Sequence, residues 1–212
     1  MKQGHNRRKK MVKQAVYLGV MLILMIVVLV GCKKKQKGSD TAKTPDISGK
    51  HNVEITVKDY GTIKVELDAD VAPVTVDNFL NLVKEGFYDG LTFHRVIDGF
   101  MIQGGDPKGN GTGGSDKTIK GEFSSNGVEN KLSHVRGTIS MARSQAKDSA
   151  SSQFFIVHED STYLDGEYAA FGTVTEGMEI VDQICKDVEV EDSNGTVAKQ
   201  NQPVIESIKV AE

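Results

Sequence analysis

The chain has 212 residues, enough for one well-buried domain and hardly for two. Its net charge of -3 hides an uneven split: residues 1–50 hold 12 of the 26 Lys and Arg and two acids, Asp40 and Asp46, whereas residues 51–212 hold 14 bases against 27 acids. So acidic a domain excludes nucleic-acid binding as its main business, because neutralising phosphates needs the opposite sign.

The basic excess belongs to the N-terminus. Met1–Lys13 carries Lys2, Arg7, Arg8, Lys9, Lys10 and Lys13 without an acid, and Ala15–Val30 is apolar and uncharged. That order of a basic and an apolar region is the order of a secretory signal. It ends in Leu29-Val30-Gly31-Cys32, which resembles a bacterial lipobox. The resemblance implies a lipoprotein signal peptide over residues 1–31 and lipidation of Cys32 as the first mature residue. The alternative is an uncleaved transmembrane helix, since Gln14–Cys32 gives 19 uncharged residues. Both readings predict an extracytoplasmic domain held at the cell membrane. Residues 32–50, rich in Lys, Gly, Ser and Thr, read as a flexible tether. The second cysteine, Cys185, shares a helical face with Met178 and Val181 and reads as a small buried hydrophobe.

From residue 51 the chain reads as a folded domain to residue 212. His51–Leu67 alternates through Val53, Ile55, Val57 and then Ile63, Val65, Leu67, which predicts a β-hairpin turning at Lys58–Gly61. Pro73 opens a helix whose apolar stripe is Val76, Phe79, Leu80 and Val83, with Gly86 at its C-terminal end. Short strands follow at Leu91–Ile97, Phe100–Gln103, Gly137–Ala142, Gln153–His158 and Ala169–Val174, then a helix over Gly177–Val188 and a last strand over Val204–Val210. Asn194-Gly195 marks a turn. There is no βαβ alternation, so an antiparallel barrel or sandwich with two helices packed outside fits best.

Several chemistries drop out. No His, Cys, Asp or Glu group has metal-ligand spacing, and no G-x-S-x-G elbow is present. Gly109, Gly111 and Gly114 satisfy G-x-G-x-x-G, but a polar loop follows instead of a helix, so a dinucleotide site is not expected. What remains is the run Phe93–Gly114, FHRVIDGFMIQGGDPKGNGTGG, with an arginine set among apolar side chains. Such a residue is costly unless something uses its fork of donors. Strand parity puts Arg95 with Phe93, Met101 with Gln103, and Gln153 with Phe155, while Phe100 pairs with Ile102. Arg95, Met101, Gln103, Gln153 and Phe155 then line one groove, apolar at its base with amide and guanidinium donors on its walls.

The motifs Phe93-His94-Arg95, Gly99-Phe100-Met101-x-Gln103-Gly104-Gly105-Asp106, Asn110-Gly111-Thr112-Gly113-Gly114, Ser140-Met141-Ala142, Ser152-Gln153-Phe154-Phe155-Ile156, Leu164-Asp165-Gly166 and Phe171-Gly172 resemble those of the cyclophilin peptidyl-prolyl isomerases, over about residues 51–212. The resemblance implies a mainly β fold: a closed eight-stranded antiparallel barrel capped by two helices. It implies isomerisation of X-Pro bonds, with Arg95 catalytic. Phe100, Met101, Phe155 and Leu164 would form the proline pocket, and Gln103, Gly111, Ala142 and Gln153 the peptide groove. Arg143-Ser144 stands where many members have Asn-Ala, Tyr163 where many have Trp, and Tyr168 where many have His. These four are carried over as substrate-contacting positions. The arginine–serine version looks like the bacterial branch, and Tyr163 puts cyclosporin sensitivity in doubt. No cofactor or metal is expected. The partners implied are proline-containing polypeptides, exported clients among them, bound by a monomer. A proline-peptide binding or chaperone module with little catalysis is the alternative.

Overall fold

The structure is a computed structural model, and it describes residues 45–211. The signal peptide, Cys32 and most of the tether expected from the sequence lie outside the described residues. Eight strands and two helices run in the order β1 (Lys50–Val57), β2 (Gly61–Asp68), α1 (Pro73–Lys84), β3 (Phe93–Ile97), β4 (Met101–Gly104), β5 (Thr138–Met141), β6 (Phe154–Val157), β7 (Ala170–Glu176), α2 (Met178–Asp187) and β8 (Ile205–Val210). Ile47 packs on the core and the Gly49 N–H donates to Asp70 Oδ1 at 2.8 Å, so the folded body reaches back into the last residues read as tether.

All pairings are antiparallel, in the order β3-β4-β6-β5-β7-β2-β1-β8. The expected closed barrel is therefore corrected to an open, strongly curled sheet. Its outer strands, β3 and β8, do not form a ladder. The isolated bridge Thr92↔Val204 joins them, with bonds from the Phe93 N–H to the Pro203 carbonyl at 2.9 Å and from the Ile205 N–H to the Leu91 carbonyl at 2.8 Å. The reason is geometric. Only the start of β8 meets residues 90–93, and Pro203 has no N–H to extend the pairing. The rest of β8 follows β1 instead.

Alternation builds the core. Val53, Ile55, Ile63, Val65 and Leu67 turn inward from the β1–β2 hairpin, and Phe79 of α1 meets Tyr88, Phe154 and Phe171 at centroid distances of 5.0, 5.6 and 5.3 Å. Pro73 starts α1 as expected, but its free amides are satisfied from far along the chain. Buried Glu122 accepts from the Val74 N–H at 3.0 Å and from the Thr75 N–H at 2.8 Å. A carboxylate there also complements the positive end of the helix.

β6 is buried on both faces. Phe154 and Ile156 enter the main core, whereas Phe155 and Val157 join Met101 in a separate apolar cluster. This second cluster is the base of the groove.

Candidate functional site

Two registers put the groove residues on one face. Arg95 lies opposite Gln103 across β3 and β4, and Gln103 lies opposite Phe155 across β4 and β6. Ile97 faces Met101, and Met101 faces Val157. Because side chains alternate along each strand, all of these share one side of the sheet. The parity read from the sequence holds for Arg95, Met101, Gln103 and Phe155, but not for Phe93: the β3–β4 register shifts between Phe93 and Arg95, and Phe93 turns into the main core instead of sharing the face of Arg95.

Phe100 breaks that parity. It closes the tight turn between β3 and β4, where its N–H donates to the Ile97 carbonyl at 3.0 Å, and so it precedes the strand. It packs with Met101 and Phe155 and not with Ile102. Ile97, Ala142, Leu164 and Tyr168 complete the apolar cluster. Phe100 and Tyr168 are only partly buried, so each leaves part of its side chain exposed.

Donors stand along the wall of this pocket. Gln153 donates through Nε2 to the Gly113 carbonyl at 2.8 Å and accepts from Gln103 Nε2 at 2.8 Å; Gln103 Oε1 then accepts from Arg95 Nη1 at 3.2 Å. The relay has one polarity, so each link fixes the orientation of the next amide. Arg95 is clamped on its other side by the 192–196 loop. Its Nε donates to the Asn194 carbonyl at 2.7 Å and its Nη2 to Asn194 Oδ1 at 3.3 Å. A guanidinium has five N–H donors, and these contacts use three. Two remain to meet a ligand, with the Arg95 Cζ 6.0 Å from the centre of the Phe100 ring. Burial pulls the Arg95 pKa down from its ordinary value, opposed by Tyr168, Asp192 and Tyr163, but arginine stays cationic throughout the accessible pH range.

The other expected positions fall around this centre. Arg143 turns away from Arg95. Its guanidinium lies 4.9 Å from the Phe123 ring centre and 4.8 Å from that of Tyr168, and its Nε donates to the Glu167 carbonyl at 2.9 Å. It thus holds Tyr168, whose ring meets Phe155 edge-on at 6.0 Å. Ser144 is exposed and its N–H donates to Ser149 Oγ at 3.0 Å. Tyr163 is 67% exposed at the rim, its ring 6.0 Å from Phe100. Gly111 lies in the loop that wraps the Asp106 carboxylate, which accepts from the N–H groups of Lys108, Asn110 and Gly111 at 2.8, 3.1 and 2.7 Å. The glycine-dense run is therefore a wall folded around a buried aspartate, not a phosphate cradle.

Two supports of the site escape sequence reasoning. Asn194 carries only a turn signal there. His134 stands apart from every motif, yet its ring stacks on Phe155 at 6.0 Å and 18°. His134 Nδ1 meets Asp165 Oδ1 at 2.8 Å and Nε2 meets Ser140 Oγ at 2.9 Å. Burial pulls the His134 pKa down against the opposing pull of Asp165, which keeps the ring neutral. The aspartate then accepts Nδ1–H and the serine donates to Nε2. Ser140 and His134 are fully buried, so the pair supports Phe155 from below, with the exposed Asp165 holding the ring from the surface.

A small apolar cluster with a fixed cationic donor beside it is the arrangement of a peptide-binding groove. The family model for the cyclophilin type peptidyl-prolyl cis-trans isomerases matches residues 52–210. Peptidyl-prolyl cis-trans isomerase B of Bacillus subtilis is 47% identical over 144 residues, covering 68% of this chain and 92% of its own. The peptidyl-prolyl cis-trans isomerase of Helicobacter pylori (strain 26695) is 50% identical over 126 residues, 58% of this chain and 74% of its own. A Cryptosporidium parvum cyclophilin type isomerase crystallised in the presence of the dipeptide Ala-Pro superposes with a TM-score of 0.67 at 32% identity, over 76% of this chain and 99% of its own. The chain belongs to the cyclophilin-type peptidyl-prolyl cis-trans isomerases, and its relatives in Bacillus and Helicobacter fit the bacterial branch.

Proposed function

We propose that this protein isomerises X-Pro bonds by a donor mechanism centred on Arg95, in exported polypeptides folding near the membrane. The observation that carries the reading is the clamped Arg95 beside the Met101–Phe155 pocket. A peptide bond resists rotation by roughly 18–20 kcal/mol because the nitrogen lone pair is delocalised into the carbonyl. Uncatalysed X-Pro exchange takes roughly tens to hundreds of seconds. Halfway through rotation the prolyl nitrogen is pyramidal and its lone pair localised. A donor aimed at that nitrogen binds the twisted state better than either planar state, which is the condition for acceleration.

Each group then has a task. Phe100, Met101, Phe155 and Leu164 hold the proline ring. The Gln103–Gln153 relay fixes Arg95 and offers amide groups to the flanking backbone. Arg95 spends a free N–H on the prolyl nitrogen. A hydrogen bond from a charged donor contributes about 1.5–3 kcal/mol, or roughly 10- to 150-fold in rate. Desolvation of the carbonyl and restraint of the ring supply the rest. No covalent bond forms and no proton moves.

The basic, apolar and Gly31-Cys32 order of the N-terminus supports a lipid anchor at Cys32 and an extracytoplasmic address. A protease-coupled assay on an X-Pro peptide tests the catalytic part: wild type accelerates exchange, and activity no better than Arg95→Ala contradicts it. Intact mass of the membrane-extracted protein tests the anchor. A diacylated chain starting at Cys32 is expected, and an unmodified chain starting at Met1 rules it out.

A further inference from the structure

Asp98, His158 and Cys185 are far apart in sequence, which is why no ligand spacing is visible there. The fold brings them together from the β3–β4 turn, the end of β6 and α2. One ligand atom from each lies within 4.8 Å of the other two. Asp98 Oδ1 stands 3.5 Å from His158 Nδ1. None of the three belongs to the groove.

We propose that Asp98, His158 and Cys185 bind one Zn2+ ion, with a water as the fourth ligand. The donor set, one thiolate, one imidazole and one carboxylate, is the borderline-soft set that Zn2+ prefers over magnesium or calcium. The imidazole is already oriented for the task. The Gly99 N–H donates to Nδ1 at 3.0 Å, so Nδ1 carries a lone pair and the proton sits on Nε2. Nε2 then donates to Asp182 Oδ1 at 3.0 Å. A carboxylate behind a ligating histidine is the arrangement that fixes ring and tautomer at zinc centres. Arg136 holds that carboxylate in turn, at 2.8 Å.

Space and charge also fit. A cavity of about 170 Å³ opens beside Asp98 and Cys185, lined further by Val188 and Val190, and gives the fourth ligand a place. Tetrahedral zinc bonds of about 2.0–2.3 Å set neighbouring ligands roughly 3.3–3.8 Å apart. Asp98 sits on a turn with its side chain 78% exposed, so it supplies the closing movement. The metal displaces the Gly99 N–H from Nδ1 and the proton from the Cys185 thiol, which is released to solvent. Because the thiol must lose its proton to bind, affinity rises with pH.

The test titrates the full-length, reduced, metal-free protein with Co2+, a spectroscopic stand-in, and then displaces it with Zn2+. One equivalent, a tetrahedral d–d spectrum and a thiolate-to-cobalt charge-transfer band are expected, all lost on adding Zn2+. Cys185→Ser abolishes the charge-transfer band, while Cys32→Ser keeps it. Asp182→Asn weakens binding roughly 10- to 100-fold. Asp98→Asn, on an exposed turn where folding is not at stake, weakens it by at least about tenfold, as expected for loss of a ligand. No charge-transfer band in the wild type, the same band in Cys185→Ser, or undiminished affinity in Asp98→Asn each overturns the proposal. Isomerase activity is not part of this readout, so the site stands or falls apart from the catalytic reading.

Discussion

Arg95 and Asn194 are 99 residues apart in sequence, and two hydrogen bonds join them. One, at 2.7 Å, goes to the Asn194 backbone carbonyl; the other, at 3.3 Å, goes to its side chain. The donor of the groove is thus aimed from outside its own strand. Asn194→Ala keeps the carbonyl contact and loses the amide, so kcat/KM on an X-Pro peptide should fall only about 2- to 10-fold, the worth of one modest hydrogen bond. Gly195→Ala should cost more. Gly195 has φ +80°, and a Cβ there meets the Val96 carbonyl oxygen at 2.3 Å, so the loop must lift away from β3 and take Asn194 with it. Loss of both stability and kcat/KM in Gly195→Ala, measured by urea unfolding and peptide assay, checks this.

A second prediction concerns α1. Glu122→Gln removes the charge at the helix N-terminus and, because the Val74 and Thr75 N–H groups bond different oxygens of the carboxylate, leaves one of them facing an amide NH2 instead of an acceptor. The unfolding free energy should drop by about 0.5–2 kcal/mol. Glu122 touches no groove residue, so kcat/KM should stay within about twofold, a change worth under 0.5 kcal/mol. Urea unfolding at neutral pH measures the first quantity.

A third prediction concerns acid. Burial lowers the folded-state pKa of both His134 and His94, against Asp165 for one and Asp106 for the other. Both ring nitrogens of His94 are buried without a hydrogen-bond partner among the described residues. A histidine with a depressed folded pKa binds fewer protons folded than unfolded in this window. Its contribution to stability is therefore fully present above about pH 6.5 and is lost as the pH falls below that. Unfolding free energy should decline as the pH falls below about 6.5, and His94→Leu should flatten part of the slope. An unchanged slope in that variant would show that His94 is not one of the groups responsible. The proposed donor mechanism moves no proton, so kcat should be nearly flat from about pH 6.5 to pH 8.5.

Much of this architecture is legible in the amino-acid sequence. The β1–β2 hairpin shows as alternation, and parity along β3, β4 and β6 places Arg95, Gln103 and Phe155 on one face. Parity misplaces Phe100 because that residue belongs to a turn, where the period of two does not hold. The family resemblance overstates closure of the barrel, since Pro203 and the divergence of β8 toward β1 act only in three dimensions. Asn194 is illegible as a site residue because it serves largely through its backbone carbonyl, which every residue has. His134 gives no signal because its partners, Asp165 and Ser140, lie at separations of 31 and 6 residues with no motif to link them.

The most direct test of the Arg95 mechanism is the cis–trans exchange rate of an X-Pro peptide while bound, measured by NMR on wild type, Arg95→Ala and Arg95→Lys. The mechanism predicts that on-enzyme exchange slows roughly 10- to 150-fold in Arg95→Ala. Peptide affinity should change by no more than about threefold, because the apolar pocket is intact. Lysine, lacking the planar fork that bonds Asn194 and Gln103 together, should recover little of the rate. Exchange in Arg95→Ala as fast as in the wild type would contradict the assignment of Arg95 as the donor to the prolyl nitrogen.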